Sequence, residues 1–413
     1  MKIIISIIFT FLFLKNGYSS ENILDQASLY TVKIRTLIDR PFHEDDKAGL
    51  IRGSGFLVDK EKGLIITNAH ISGRSKSKIK IAFKDYGFQT ASQVYIDPNI
   101  DIAIIKINPK LIPNKTIEAK LKCNGKVKNG ALVAAFGHPK GLSFSSTRGI
   151  VSKYRFWNGK DVIQTDAAIN KGNSGGPLID ISTGLIIGVN KSSYKKSSGL
   201  SFAVPSNNVC LILNLIKNGK DPSPIILPIR FAEDRDSESY MMVASFYHEG
   251  INKEIGSYLL AIDDQEVYSP SELDMLLRGK SKEVKLTFKK EETLNHYTIK
   301  IIRKNKILNR EYLYLAGATI SNDPRARFED TKKRFLIHSV IDGTEAELAG
   351  LWQHCWIKSI DGYEPNSLSG LYKLSLDKDN VGIITRCYSF RDDIISDDYF
   401  VKLNTKNQKI SLH

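Results

Sequence analysis

The chain has 413 residues, with 59 Lys and Arg against 45 Asp and Glu, 42% hydrophobic residues and only four Cys. That length exceeds one ordinary domain of roughly 100–200 residues, and the balance of apolar and charged residues excludes a disordered, collagenous or disulfide-dense chain. The formal net charge of +14 brings nucleic acid, anionic lipid and acidic proteins into question as partners, so its distribution has to decide among them.

Residues 1–20 read as an export signal: Lys2, an uncharged apolar run from Ile3 to Leu14, then small and polar residues. A helix of that run is roughly 18 Å long against a ~30 Å hydrocarbon core, so cleavage after Ser19 is expected rather than a spanning helix. Lys15, behind the run, leaves an uncleaved anchor as the alternative. From Ser28 to Asn190 short β-branched runs such as YTVKI, GSGFLVD, GLIITNA, DIAIIKI and GLIIGVN alternate with Gly, Asn and Pro. Such spacing, without long helical patterns, predicts an antiparallel all-β domain over 21–218, closed by a helix at about Ser206–Asn218. The Gly- and Pro-rich 219–226 reads as a linker.

Two α+β modules are expected next, over 227–305 and 306–404, followed by a tail, 405–413. The first contains a helix capped by Ser269, with Leu273, Leu276 and Leu277 on one face. The second repeats the scheme in pattern rather than identity. For an exported chain, Cys123–Cys210 and Cys355–Cys387 are conceivable disulfides among three connectivities, and buried free thiols are the alternative. No Cys-x-x-Cys occurs and His43, beside Glu44, Asp45 and Asp46, reads as a solvated loop, so no metal is expected.

The chemistry-bearing segment is Gln164–Leu178, with Gly172-Asn173-Ser174-Gly175-Gly176 at its centre. A serine framed by glycines on a tight turn presents its hydroxyl, and neighbouring amides converge on one point; an acyl-transfer nucleophile needs both. Upstream, His70 closes Thr67-Asn68-Ala69-His70, and Asp101 opens an apolar strand where a buried acid demands a partner. His70, Asp101 and Ser174 follow in that order on an all-β scaffold, a joint pattern far more specific than any single member.

On these residues, residues 28–206 resemble a trypsin-like serine protease of the HtrA/Deg family: GSGFLV, LIITNAH, DIAIIKI, AFGHPKGL, TRGIVS, IQTDAAINKGNSGGPLID and GLSFAVPSN follow its blocks in order. The resemblance implies a chymotrypsin-like double β-barrel followed by two PDZ-like domains, and ATP-independent hydrolysis of misfolded envelope proteins without a cofactor. Ser174 would be the nucleophile, His70 the general base, Asp101 its orienting acid, and the N–H groups of Gly172 and Ser174 the oxyanion donors. Where relatives that cut after Lys or Arg carry an acid, this chain has Ala168. With Ile169, and Ser193 in the opposite wall Lys191–Tyr194, it implies a small apolar pocket; Asp166 is expected to serve structure. Other readings are a holdase or binding scaffold, and a processing protease with a dedicated substrate.

Further implications concern partners and place. Relatives form trimers, here through Leu29 and Tyr30 at the head of the first strand, and lie in the periplasm or cell envelope. Their loops around the oxyanion turn, here Gly137–Thr147 and Lys191–Gly199, switch activity by ordering. The PDZ-like modules lack a clear carboxylate-binding loop, which puts capture of C-terminal peptides in question. Basic residues are spread over Arg74–Lys84, Lys106–Lys128, Lys191–Lys196, Lys280–Lys290 and Lys300–Lys306, alternating with strand residues as a solvated face does. That dispersion predicts no nucleic-acid binding and at most peripheral membrane contact.

Overall fold

The computed structural model describes residues 20–41, 46–138, 144–157, 160–191, 200–227, 229–232, 242–246, 254–303, 308, 311–322, 335–387 and 398–413. Residues 1–19, read as an export signal, His43, Ser193 and most of the two loops expected to switch activity lie outside them.

After helix α1 (Ser20–Tyr30), six strands close a first barrel: β1 (Thr31–Ile38), β2 (Gly49–Asp59), β3 (Leu64–Thr67), β4 (Lys78–Ala82), β5 (Gln89–Asp97) and β6 (Ile102–Lys106), in the order β1-β2-β3-β6-β5-β4. A one-turn helix α2 (Ala69–Ser72) follows β3. A second barrel is closed by β7 (Leu132–Gly137), β8 (Ser145–Trp157), β9 (Lys160–Thr165), β10 (Pro177–Asp180), β11 (Ile186–Lys191) and β12 (Ser201–Pro205), and helix α3 (Ser206–Lys217) ends it. This is the chymotrypsin-like double barrel that the resemblance implies, and the antiparallel all-β domain expected from the strand pattern.

The continuous apolar runs have a geometric cause. Side chains alternate across a strand, and in the strands that face the partner barrel both faces are buried. Leu57, Ile65 and Ile105 fill the first barrel, whereas Phe56, Ile66 and Ile104, their immediate neighbours, point into the layer between the barrels. In the second barrel Leu178, Ile187 and Ala203 point inward, while Ile179, Ile186 and Val204 join that same layer. Val209, Ile212 and Leu213 of α3 cap it.

Leu29 and Tyr30 end α1 rather than heading a strand, and Tyr30 is only 5% exposed within the inter-barrel layer. It is therefore a core residue and unsuited to the subunit contact expected of it. Asp46, expected in a solvated loop, is buried, accepts a hydrogen bond from Ser75 Oγ and lies 3.7 Å from Arg74. Both conceivable cysteine pairs, Cys123–Cys210 and Cys355–Cys387, are disulfides.

The stretch read as a linker is packed rather than free. Pro222 and Ser223 are buried, and β13 (Ile225–Ile226) leads into the first α+β module. That module contains β14 (Ile229–Ala232), β15 (Met242–Phe246), β16 (Tyr258–Ile262), β17 (Gln265–Glu266), α4 (Pro270–Leu277), β18 (Glu283–Lys290), β19 (Thr293–Lys300) and β20 (Ile302–Arg303). β20 pairs with β13, and the main sheet runs β14-β15-β16-β18-β19. Ser269 Oγ accepts from Glu272 N at 3.2 Å, the cap expected for α4, and Leu273 and Leu277 are buried beside a partly buried Leu276.

The second module has β21 (Leu313–Leu315), β22 (Ala318–Asn322), β23 (Phe335–Val340), α5 (Glu345–Leu348), β24 (Cys355–Ile360), α6 (Leu368–Ser375), β25 (Asn380–Cys387), β26 (Tyr399–Asn404) and β27 (Ile410–Leu412). The residues read as a tail are integral: β27 pairs with β21 at the edge of the seven-stranded sheet. The internal repeat is also visible in hydrogen bonds. Asp263 accepts from Lys285 N and Lys280 Nζ; Asp361 accepts from Gly382 N and Lys378 Nζ, the lysine lying 17 residues on in both modules.

Candidate active site

His70 sits in α2 directly after β3. Its backbone N–H donates to Asp101 Oδ1 at 3.0 Å, and its ring Nδ1 lies 2.9 Å from Oδ2 and 3.1 Å from Oδ1. The carboxylate thus holds both the main chain and the ring of one residue. That contact fixes the proton on Nδ1 and leaves Nε2 as the basic nitrogen. Asp101 itself occupies the β5–β6 turn at φ 62°, is 2% exposed, and is further anchored through its carbonyl, which accepts from Asn68 Nδ2 at 3.0 Å. Burial alone would raise its carboxyl. The hydrogen bond and charge of His70, the ammonium of Lys191 and the His70 amide outweigh it, and the group is held below the usual carboxylate range.

Ser174 comes from the other barrel, on the turn before β10, and is 5% exposed. Two glycines make the approach possible. A Cβ on Gly175, whose φ is +83°, would stand 2.2 Å from Ser54 O and 2.3 Å from Thr67 Oγ1, and 3.2 Å from Asn68 N. A Cβ on Gly176 would stand 2.2 Å from Phe136 O. The serine turn therefore abuts the start of the helix that carries His70, and Ser54 N donates to Ser174 O at 2.9 Å across the barrels. Asn190 on β11 secures the turn from its far side, accepting from Gly175 N at 2.9 Å and donating to Gly176 O at 2.8 Å.

Gly172 has φ 111°, a conformation that L side chains rarely adopt. Among the described residues no backbone carbonyl takes the N–H of Gly172 or of Ser174, whereas Asn173 N is engaged by Asn170 O. The carbonyl of Gly172 is fixed from behind: Ser54 Oγ donates to it at 2.7 Å and lies 3.0 Å from His138 Nδ1. A hydroxyl has one proton, so the His138 ring must supply the proton of the second bond. Burial, reinforced by the charge of Lys33, pushes the His138 imidazole down to about 3, which keeps it neutral.

The pocket residues divide. Ala168 is exposed, and its carbonyl accepts from Thr147 Oγ1 at 2.7 Å. Ile169 is 1% exposed and packed in the second barrel with Val151 and Ile163, so its side chain belongs to the core and does not line an open wall. Asp166 takes the structural role expected of it: Oδ1 accepts from Ile150 N at 2.6 Å, beside Gly149, whose Cβ would meet that oxygen at 2.3 Å. Lys191, read as part of the facing wall, is turned instead toward the acid of the pair, its Nζ 3.7 Å from Asp101 Oδ2. Ser193 lies outside the described residues. Sequence reasoning overlooked Ser54 and His138. Both stand inside motif blocks, GSGF and AFGHP, but only the fold brings those blocks together behind Gly172.

Comparison with known proteins finds similarity over the same region. Residues 53–189 match the trypsin-like peptidase domain. The chain is 39% identical over 199 residues to "Protease Do-like 1, chloroplastic" of Arabidopsis thaliana, covering 45% of this chain and 44% of that protein. It is 31% identical over 255 residues to a "Probable periplasmic serine endoprotease DegP-like" of Halomonas elongata, covering 57% and 52%. The chain thus spans about half the length of the curated relatives it matches. Among solved structures, "HtrA-type protease AlgW with tripeptide" shares the fold with a TM-score of 0.55 at 24% identity, over 68% of this chain and 96% of that one. The double-barrel region, with its His70–Asp101 pair set against a glycine-framed Ser174, is thus similar in sequence to trypsin-like Do-like and DegP-like proteases and shares the fold of an HtrA-type protease.

Proposed function

We propose that the chain is an exported, ATP-independent serine endopeptidase of the cell envelope that hydrolyses misfolded or unfolded proteins. In this reading Ser174 Oγ attacks the scissile carbonyl while His70 Nε2 takes its proton and later delivers it to the leaving amine. Asp101 holds the imidazole tautomer and stabilises the imidazolium, and the N–H groups of Gly172 and Ser174 receive the oxyanion. The observation that carries the reading is the ionised, buried Asp101 locked on His70 at 2.9 Å, with the Ser174 turn pressed against the same helix by Gly175. No cofactor takes part in this chemistry.

A small apolar P1 residue suits the site. Ala168 brings no charge, so that position offers no counter-ion to Lys or Arg, and Asp166 is engaged through Oδ1 by Ile150 N. The two α+β modules are proposed as PDZ-like domains that receive extended polypeptide by strand addition, and the protein as a homotrimer or larger homo-oligomer whose contacts do not use Tyr30. The test is digestion of unfolded casein by the native chain and by Ser174→Ala. A loss of about 10⁶ in turnover is expected on removing such a nucleophile, with Val-P1 peptides cut faster than Arg-P1 peptides. Equal digestion by both proteins would remove the serine mechanism, no digestion by either would favour a holdase, and cleavage of one dedicated substrate but not casein would favour a processing protease.

A further inference from the structure

A trypsin-like catalytic pair needs the full negative charge of its carboxylate on the imidazole, because that charge stabilises the imidazolium formed when the serine is deprotonated. Here the carboxylate is shared. Asp101 Oδ2 contacts His70 Nδ1 at 2.9 Å and Lys191 Nζ at 3.7 Å, in a turn where Asp101 retains only 3% side-chain exposure and Lys191 retains 32%. Lys191 is the last residue of β11 and pairs with Phe202 of β12. Its neighbour Asn190 is pinned through both backbone groups to Gly175 and Gly176. The strand that secures the nucleophile turn therefore delivers a cation to the acid as its next residue.

We infer that Lys191 is a positioning residue of the catalytic pair: its ammonium, set against Asp101, offsets part of the charge that His70 would otherwise experience and so sets the pH at which the base becomes available. The ammonium lies within roughly 7 Å of the imidazole, the two contacts laid end to end, a range over which a cation in a partly buried site disfavours a second positive charge. Among the described residues Lys160 on β9 also feels the charge of this carboxylate, together with those of Arg74, which faces Asp46, and Asp97, which faces Arg278. Among the described residues, the lysine that pairs with Asp101 is Lys191, at 3.7 Å. The sign follows: Lys191 favours neutral His70, extending activity to lower pH, while the imidazolium formed during attack is held less firmly.

The inference rests on the serine-protease reading, and its test separates the two. In Ser174→Ala protein labelled with [13Cε1]histidine, the ring signal of His70, identified by its loss in His70→Gln, is titrated with and without Lys191→Met. The methionine variant is expected to raise the midpoint of His70 by about 0.5–1 pH unit. Lys191→Arg should restore it, and in protein retaining Ser174 the acid limb of kcat/KM should move by the same amount. An unchanged or lowered midpoint in Lys191→Met, or an arginine variant that behaves like methionine, overturns the inference. Should Lys191→Met fail to fold, Lys191→Gln carries the same expectation. A native chain that neither digests casein nor reacts with a fluorophosphonate removes the protease reading, while the His70 titration still decides the role of Lys191.

Discussion

Replacement of Arg278 by Met tests whether the first module is built onto the protease domain. Arg278 closes α4, yet its guanidinium is fully buried against the first barrel: Nη1 lies 2.6 Å from Asp97 Oδ2 and donates to Tyr95 OH at 3.0 Å and to Pro222 O at 2.7 Å, while Nη2 reaches Asp274 at 2.6 Å. One side chain thus joins the barrel, the junction and the module. Asp97 is equally buried and caps its own turn, accepting from Asn99 N at 3.0 Å and Ile100 N at 3.3 Å, immediately before Asp101. With methionine in place of Arg278, Asp97 keeps those amides and the Tyr95 hydroxyl but loses its counter-charge. Breaking a buried pair from one side costs about 3–5 kcal/mol, chiefly because an uncompensated charge is left behind.

For a unit of about 200 residues that cost lowers a transition by roughly 6–20 °C. Calorimetry of the whole chain should therefore show the lowest transition separating and moving down. Cleavage within residues 219–227 should accelerate, because proteolysis follows the population of locally open forms. Asp97→Asn should cost less, since Arg278 retains Asp274 at the partly exposed end. The double variant should then be markedly less unstable than the sum of the two singles, as groups sharing one network do not act additively. Unchanged transitions and cleavage in Arg278→Met, or strict additivity in the double variant, would refute the argument that this contact holds the units together.

Other predictions follow from the same kind of accounting. His138 is neutral in the fold down to about 3, against 6.5 for an ordinary imidazole. The unfolded chain alone gains this proton as pH falls through 6.5, so the contribution is complete above that value and shrinks toward about 3. Between pH 7.5 and 5 the native chain should lose about 2 kcal/mol more than His138→Asn in urea unfolding; equal losses would show that the ring is not buried neutral. The Cys123–Cys210 bond spans 87 residues and ties the approach to the second barrel to α3. By chain entropy its removal with paired serines should cost about 4–5 kcal/mol, read as a lower urea midpoint that reductant no longer changes; a midpoint equal to that of the native chain would contradict the bond.

Much of the site was legible because its chemistry is local. A serine between glycines, a histidine closing an apolar strand and an acid opening another each carry their constraint in a few residues, and the fold brings together the elements that bear them. The helix cap at Ser269 was legible for the same reason. What escaped was decided between elements. Ile169 stands one residue from exposed Ala168, and the alternation that exposes one buries the other. The linker and the tail form strands of two and three residues, Ile225–Ile226 and Ile410–Leu412, too short to show any period. Tyr30 ends a helix whose register, not its hydrophobicity, turns the ring inward.

The positive balance of the chain carries the same lesson at a finer scale. Read as a run, Lys191–Lys196 belongs to a solvated face, and for most lysines here dispersion over the surface is sufficient explanation. Lys191 differs because its place is dictated before its side chain is considered. Asn190 must align with Gly175 and Gly176 to hold the nucleophile turn, and β11 must pair with β12 to close the barrel. Those two constraints fix the register, and the register leaves the next side chain within reach of Asp101. A neutral residue there would leave the carboxylate to His70 alone; a lysine makes the charge of the catalytic pair depend on the strand that holds the nucleophile.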